Sequence, residues 1–393
     1  MKSGNKERST LRSLDEDDYR FEYGGGHWIF GSDRETLRFL ARFDHLHAYD
    51  RKSSIYLPAY DVFVPYPLQN NLRHLPEEKS KEIISDIVNN RRSAGDGSMH
   101  DWLEHHFGKS LSSLFFHPFH ELYTAGLSRE IQPQDDYKSP LAITKIQQGL
   151  TSRSGEVGYN VSFVYPEHGL STLVQGIAGH CDIEYNKEVL GINAAEKVIF
   201  FKDGERISYS KLVTTLPLNV MQNITNISTK SKQDPFTSVL VLNIGARRGK
   251  KCKEDHWIYY PVSASGFHRV GFYSNVDKRF LPATKRNGDH VSLYVEKAYK
   301  GGVVPSEEEK QRTAIEMAKE LQALGLIADI EVQDITWIDV AYTWSYMNSS
   351  WRDEVLELLS KFGIVPVGRY ATWKFQGILD SLRDGLQTGA HLS

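Results

Sequence analysis

Gly24, Gly25 and Gly26 constrain this chain more tightly than any other stretch. They close a short alternating run, Tyr19 to Tyr23, and lead into His27, Trp28, Ile29 and Phe30. Without a Cβ, successive glycines let the backbone take positive φ and lie against a flat ligand. A neutral histidine beside such a loop serves as donor, acceptor or proton carrier near neutral pH. The same pattern also describes a tight turn between a strand and a helix, with His27 as a packing residue. The stretch by itself leaves both readings open.

A chain of 393 residues is too long for one small core, so two interleaved or consecutive domains are expected. Hydrophobic residues make up 40% and charged residues 25%, the profile of a globular protein. The formal net charge of -3 gives no reason to expect nucleic acid or an anionic membrane as a partner. The basic stretch Arg247-Arg248-Gly249-Lys250-Lys251 reads as an exposed loop. Cys181 and Cys252 are too few for a disulfide framework or a thiolate metal site. No apolar run reaches the roughly 20 residues of a membrane span. The charged start, Met1 to Arg8, is followed by no apolar h-region. A reduced, cytoplasmic setting is expected.

Taken in order, the pattern predicts a strand over Tyr19 to Tyr23, then a helix from Arg34 capped by Ser32 or Asp33. Ile55-Tyr56-Leu57 and Val62-Phe63-Val64 read as the arms of a hairpin. Pro65 and Pro67 then break regular structure. Helices are expected over 76–92 and 99–116, the second capped by Ser98 and stopped near Pro118. Strands follow at Phe163 to Pro166, in a meander from Ile183 to Leu216 turning at Asp203-Gly204, and in a buried run from Lys211 to Pro217. Residues 236–246, 256–260 and 267–275 are expected to share one sheet. Glu307 to Leu324 reads as an amphipathic helix ended by Gly325, and another helix lies near 377–386. The alternation suggests an α/β domain threaded through a second domain.

Several separated blocks together resemble the flavin-containing amine oxidase superfamily, and within it the UDP-galactopyranose mutase branch. They are Gly24 to His27, Val64-Pro65-Tyr66-Pro67-Leu68-Gln69-Asn70-Asn71, Phe115 to Leu127, and Tyr165-Pro166 with Gly169. Further blocks are His256 to Tyr260 leading to Phe267 to Asn275, and Gly368 to Phe375. The likeness runs from about residue 10 to the end. It implies a mixed α/β flavoenzyme with a Rossmann-like FAD domain interleaved with a substrate domain. The FAD part would comprise 1–50, 150–235 and 355–393, and the substrate part 51–149 and 236–354.

The resemblance also implies roles. Gly25, Gly26 and His27 would lie against the isoalloxazine, with His27 near its N5. Gly368, Arg369 and Trp373 would form the second flavin contact, where a helix N-terminus faces the pyrimidine ring. Tyr66 and Gln69 match positions that hold a uracil ring, and Tyr259, Arg269 and Tyr346 match positions that contact a diphosphate. The catalytic pair is then His27, shaping the flavin environment, and Arg269, anchoring an anionic group. The reaction is either hydride removal from a sugar nucleotide or similar polar metabolite, or the non-redox ring contraction of a mutase.

The departures are specific. Val164 stands where the mutases carry a second diphosphate arginine, and Phe375 where they carry a tyrosine. His120 and Thr124 replace an asparagine and a tryptophan. Gly-x-Gly-x-x-Gly, which cradles a dinucleotide pyrophosphate at a helix start, does not occur. Thr10-Leu11-Arg12-Ser13 resembles the segment after that unit, so about 40 residues of a βαβ unit are missing against the pattern. Three alternatives stay open: a truncated product, a partner that supplies the unit, or FAD bound poorly or not at all. A non-catalytic flavoprotein remnant is the rival reading. His105, His106, His117 and His120 lack the His-Glu-x-x-His spacing, so no metal is expected. No Gly-x-Ser-x-Gly elbow supports a hydrolase.

Overall fold

A computed structural model of the chain describes residues 13–16, 18–31, 33–89, 97–134 and 161–392. Its centre is a seven-stranded sheet in the spatial order Ile327–Thr343, Phe236–Arg248, His290–Lys300, Arg269–Phe272, Trp257–Tyr259, Ser53–Leu57, Val62–Pro65. All neighbours are antiparallel except Trp257–Tyr259, which runs parallel to Ser53–Leu57. The expected hairpin at Ile55 and Val64 is present, and the apolar runs after residue 236 share this one sheet.

Phe236–Arg248 is almost continuously buried, as a strand covered on both faces must be. Its residues alternate between two cores. Leu240, Leu242 and Ile244 pack with Ala314, Met317 and Leu321 of the helix Glu307–Ala323. Val239 and Val241 face Trp28, Tyr273 and Tyr294. That helix begins at Ser306 with a reciprocal capping box to Glu309, and Gly325 follows it at φ 71°. The opposite end of the sheet is roofed by Glu77–Asn89 and Met99–Leu111, which bury Ile83, Ile87, Leu103 and Phe107 over the hairpin.

Smaller sheets sit beside this block. Ile29–Phe30, Ser162–Pro166 and Leu46–Asp50 form one. The expected meander forms another from Val189–Asn193, Val198–Phe201 and Arg206–Ser208. Leu212–Thr214 pairs in parallel with Ile364–Pro366. The architecture is the mixed α/β one that the alternation suggested.

Three expectations need correction. The helix from residue 99 does not stop at Pro118; it breaks at Gly108 (φ 75°), where a Cβ would lie 2.9 Å from Asp86 Cβ. Helical structure then continues through Ser112–Phe116 and His117–Tyr123, past Pro118. The 267–275 run leaves the sheet after Phe272 and makes one helical turn, Tyr273–Val276. The strand expected to be buried after Lys211 is an edge of a two-stranded sheet, with Val213 45% exposed. Asp33 caps the first helix by accepting from Glu35 N and Thr36 N. Ser32, residues 90–92 and Thr10 to Arg12 lie outside the described residues.

Candidate functional site

The glycine bend is held from below. Tyr19–Glu22 ends in Glu22, whose buried carboxylate accepts from the Tyr165 hydroxyl and, at 3.4 Å, from Leu170 N at a helix start. Tyr273 Oη donates to the Glu22 carbonyl at 3.2 Å, and Gly25 N closes a turn onto the same oxygen. The glycines are required by close approach. A Cβ on Gly26 would lie 2.1 Å from Tyr294 Oη, and one on Gly25 (φ 84°) 2.9 Å from Glu296 Oε1. Protein side chains, then, occupy the space vacated at these two positions.

His27 folds over Gly24 and its Nδ1 lies 3.1 Å from the Gly25 carbonyl. A carbonyl only accepts, so Nδ1 carries the proton and the neutral ring keeps its lone pair at Nε2. Burial pushes His27 below the usual imidazole range; the Gly25 carbonyl and Glu296 oppose the shift, while Arg369 and Arg269 add to it.

The bend opens on a cavity of about 360 Å³. Its floor is the large sheet, with Trp257, Tyr259, His268, Arg269, Glu296 and Tyr342. Its roof is the helical segment carrying Trp102, Phe115, Phe119, His120 and Tyr123. The far wall is Arg369, Tyr370, Phe375 and Gly377, leading into Ile378 at the start of the helix Ile378–Leu392. The two glycine corners, more than 300 residues apart in sequence, thus bound one slot.

Inside it, Arg269 and Glu296 stand directly opposite on adjacent antiparallel strands. Arg269 Nε donates to Glu296 Oε2 at 3.1 Å, and Nη2 donates to both carboxylate oxygens at 2.7 and 2.5 Å. Nη2 also donates to Tyr342 Oη at 3.2 Å. Burial works to raise the Glu296 carboxyl, but Arg269 and His268 outweigh it and hold it at about 2. His120 is half-buried, and desolvation lowers it to about 4; its Nδ1 donates to the Phe116 carbonyl at 2.7 Å. Arg369 sits 4.5 Å over the Phe375 ring and gives Nη2 to the Ala341 carbonyl at 3.1 Å. Its Nε is buried without a hydrogen-bond partner among the described residues.

Of the residues singled out from sequence, Gly26, His27, Tyr66, Tyr259, Arg269 and Arg369 line the cavity, and Gly25 lies just behind it against Glu296. Four do not line it. Trp373 is 2% exposed in another core, donating its indole N–H to the Trp344 carbonyl at 2.9 Å with its edge against Trp351. Gln69 is buried beneath the hairpin, and Tyr346 lies outside with Lys232 Nζ 3.1 Å from its hydroxyl. Gly368 (φ 82°) starts a turn rather than a helix, and the helix that does begin at the cavity is ten residues later. Sequence reasoning missed Arg51, Phe119, Tyr123, His268, Glu296 and Tyr342. For Glu296 a signal existed: a lone acid directly after the run Val291 to Val295, inside the strand His290–Lys300.

A model of the family described as flavin containing amine oxidoreductase matches residues 10–248, and the chain belongs to that family. Similar solved structures follow the whole fold. Reduced UDP-galactopyranose mutase superposes with a TM-score of 0.83 at 21% identity, over 98% of this chain and 85% of the other. An Exiguobacterium sp. 255-15 protein put forward as a protoporphyrinogen oxidase gives 0.71 at 14%, over 99% and 91%. Putrescine oxidase bound to putrescine gives 0.58 at 14%, over 98% and 90%. At such identities the likeness is one of fold. Among the described residues no helix is long and apolar enough to cross a membrane.

Proposed function

We propose that the chain is an FAD-dependent oxidoreductase acting in the cytoplasm on a sugar nucleotide or a similar polar metabolite. One observation carries the reading: the aromatic-walled cavity in which the Gly24–His27 bend meets the Arg369–Ile378 corner. The residues suit a flavin ring, with flat walls, an unsatisfied buried N–H on Arg369, and a helix start facing carbonyl oxygens. Bound there, the flavin supplies the two-electron chemistry. Gly26, His27, Arg369 and Gly377 hold it. His27 offers its Nε2 lone pair to a substrate proton, Tyr66 and Tyr259 pack the substrate, and burial excludes water. Residues 1–50, 150–235 and 355–393 form the flavin half, and 51–149 with 236–354 the substrate half.

A mutase reaction on UDP-galactopyranose is the second reading, favoured by the superposition on reduced UDP-galactopyranose mutase. The test is the visible flavin absorption of the purified chain after FAD is added and excess removed. Retained absorption is expected; none would overturn the flavin reading. UDP-galactose given to dithionite-reduced protein then separates the chemistries, because furanose product means mutase. Its absence, together with substrate-dependent bleaching of oxidised flavin, means oxidoreductase.

A further inference from the structure

Among the described residues, three guanidinium groups but one carboxylate reach the cavity wall: Arg51, Arg269, Arg369 and Glu296. The carboxylate is committed to Arg269 through three hydrogen bonds. Burial keeps His27, His120 and His268 neutral, so none of them adds or removes charge near pH 7. Two positive charges are left without a counter-charge among the described residues.

Arg51 is the sharper of the two. The residue is 6% exposed, in the short stretch between Leu46–Asp50 and Ser53–Leu57, while its chain neighbours Asp50 and Lys52 are exposed. Its backbone is pinned, Arg51 N donating to the Val161 carbonyl at 2.8 Å. Its guanidinium lies 5.1 Å over the Tyr66 ring and has no ion pair or hydrogen bond among the described residues. Tyr66 in turn packs at 5.2 Å on Tyr259, which makes an aromatic shelf under the cation. A guanidinium that opens on the cavity without an acidic partner among the described residues is free to meet an anion there. Its planar fork matches the paired oxygens of a phosphate or carboxylate.

We infer that Arg51, resting on Tyr66, is the principal oxyanion-binding group of the cavity and takes a phosphate ester or carboxylate of the substrate. The resemblance gave that duty to Arg269, whose fork is filled by Glu296. The inference rests on this cavity being the substrate site, as proposed above, and does not depend on flavin. Arg369, at the other end of the slot, is the guanidinium assigned above to the flavin and takes no part in this oxyanion site.

The test is calorimetric titration of wild type, Arg51→Gln and Arg51→Lys with inorganic pyrophosphate and, separately, malonate, at two salt concentrations. Wild type is expected to bind at least one probe, more weakly at the higher salt. Arg51→Gln should lose tenfold or more in affinity, and Arg51→Lys should fall in between, because it keeps the charge without the fork. Preference for pyrophosphate identifies a phosphoryl ligand, and preference for malonate a carboxylate. The thermal midpoint of ligand-free Arg51→Gln should stay close to that of wild type, because the guanidinium faces the cavity and holds no ion pair among the described residues. Affinities within twofold of each other for wild type and Arg51→Gln, or no binding of either probe to wild type, overturn the inference. Flavin absorption read on the same samples keeps the two questions apart: its loss sinks the flavin reading while the anion result stands.

Discussion

The two glycine corners of the cavity look alike in sequence and are built on opposite principles. At Gly25 and Gly26 the space of the missing Cβ is filled by the protein, with Glu296 Oε1 at 2.9 Å and Tyr294 Oη at 2.1 Å. At Gly368, which also has positive φ, a Cβ would meet nothing within 4 Å. The first corner is therefore set by packing across the sheet, the second by backbone conformation alone. The bend that bears His27 is rigid because Tyr294, wedged also against Gly271, cannot retreat. The Arg369 corner keeps free room beside its backbone.

This contrast can be broken most directly at Glu296. Glu296→Gln leaves the half-buried Arg269 cation with a neutral partner and should destabilise the fold by about 3 kcal/mol. Equilibrium denaturation in urea reads the loss, and a change within 0.5 kcal/mol would mean that the pair does not hold the bend. Acid probes the same pair. Glu296 titrates near 2 when folded against an ordinary 4.5. Its stabilisation is complete above pH 4.5 and disappears as pH falls from 4.5 toward 2, roughly 3 kcal/mol in all. The desolvated neutral histidines His27, His120 and His268 add a separate loss that begins below their ordinary 6.5. The difference between wild type and Glu296→Gln across pH 5 to 3 isolates the carboxylate, and parallel curves would refute the assignment.

Gly26→Ala drives a methyl into Tyr294 and should cost about 3 kcal/mol, with the His27 ring displaced. The histidine proton resonances are the readout for that movement. Gly368→Ala meets no atom and pays the positive-φ penalty alone, about 1 kcal/mol. Equal costs at the two corners would erase the distinction drawn between them.

Short-range chemistry made much of the fold legible. The hairpin around Ile55 and Val64, the Asp203-Gly204 turn, and the helix between Ser306 and Gly325 each carry their own caps, turns and apolar period. Gly108 shows the limit: its break is required by Asp86 on the neighbouring helix, which no local pattern announces. Trp373 shows another, since Gly368 to Phe375 as a motif does not reveal which ring faces the slot and which enters the core.

For this protein, sequence alone determined the family, the strand and helix periods, and the two glycine corners, because those signals lie within a few neighbouring residues. Tertiary structure decided which charges meet. Arg269 finds Glu296 through strand register, and Arg51 meets the Tyr66 face across the hairpin, with no carboxylate beside it among the described residues. A guanidinium has the same charge in both places. What differs is its counter-charge, and long-range packing sets that.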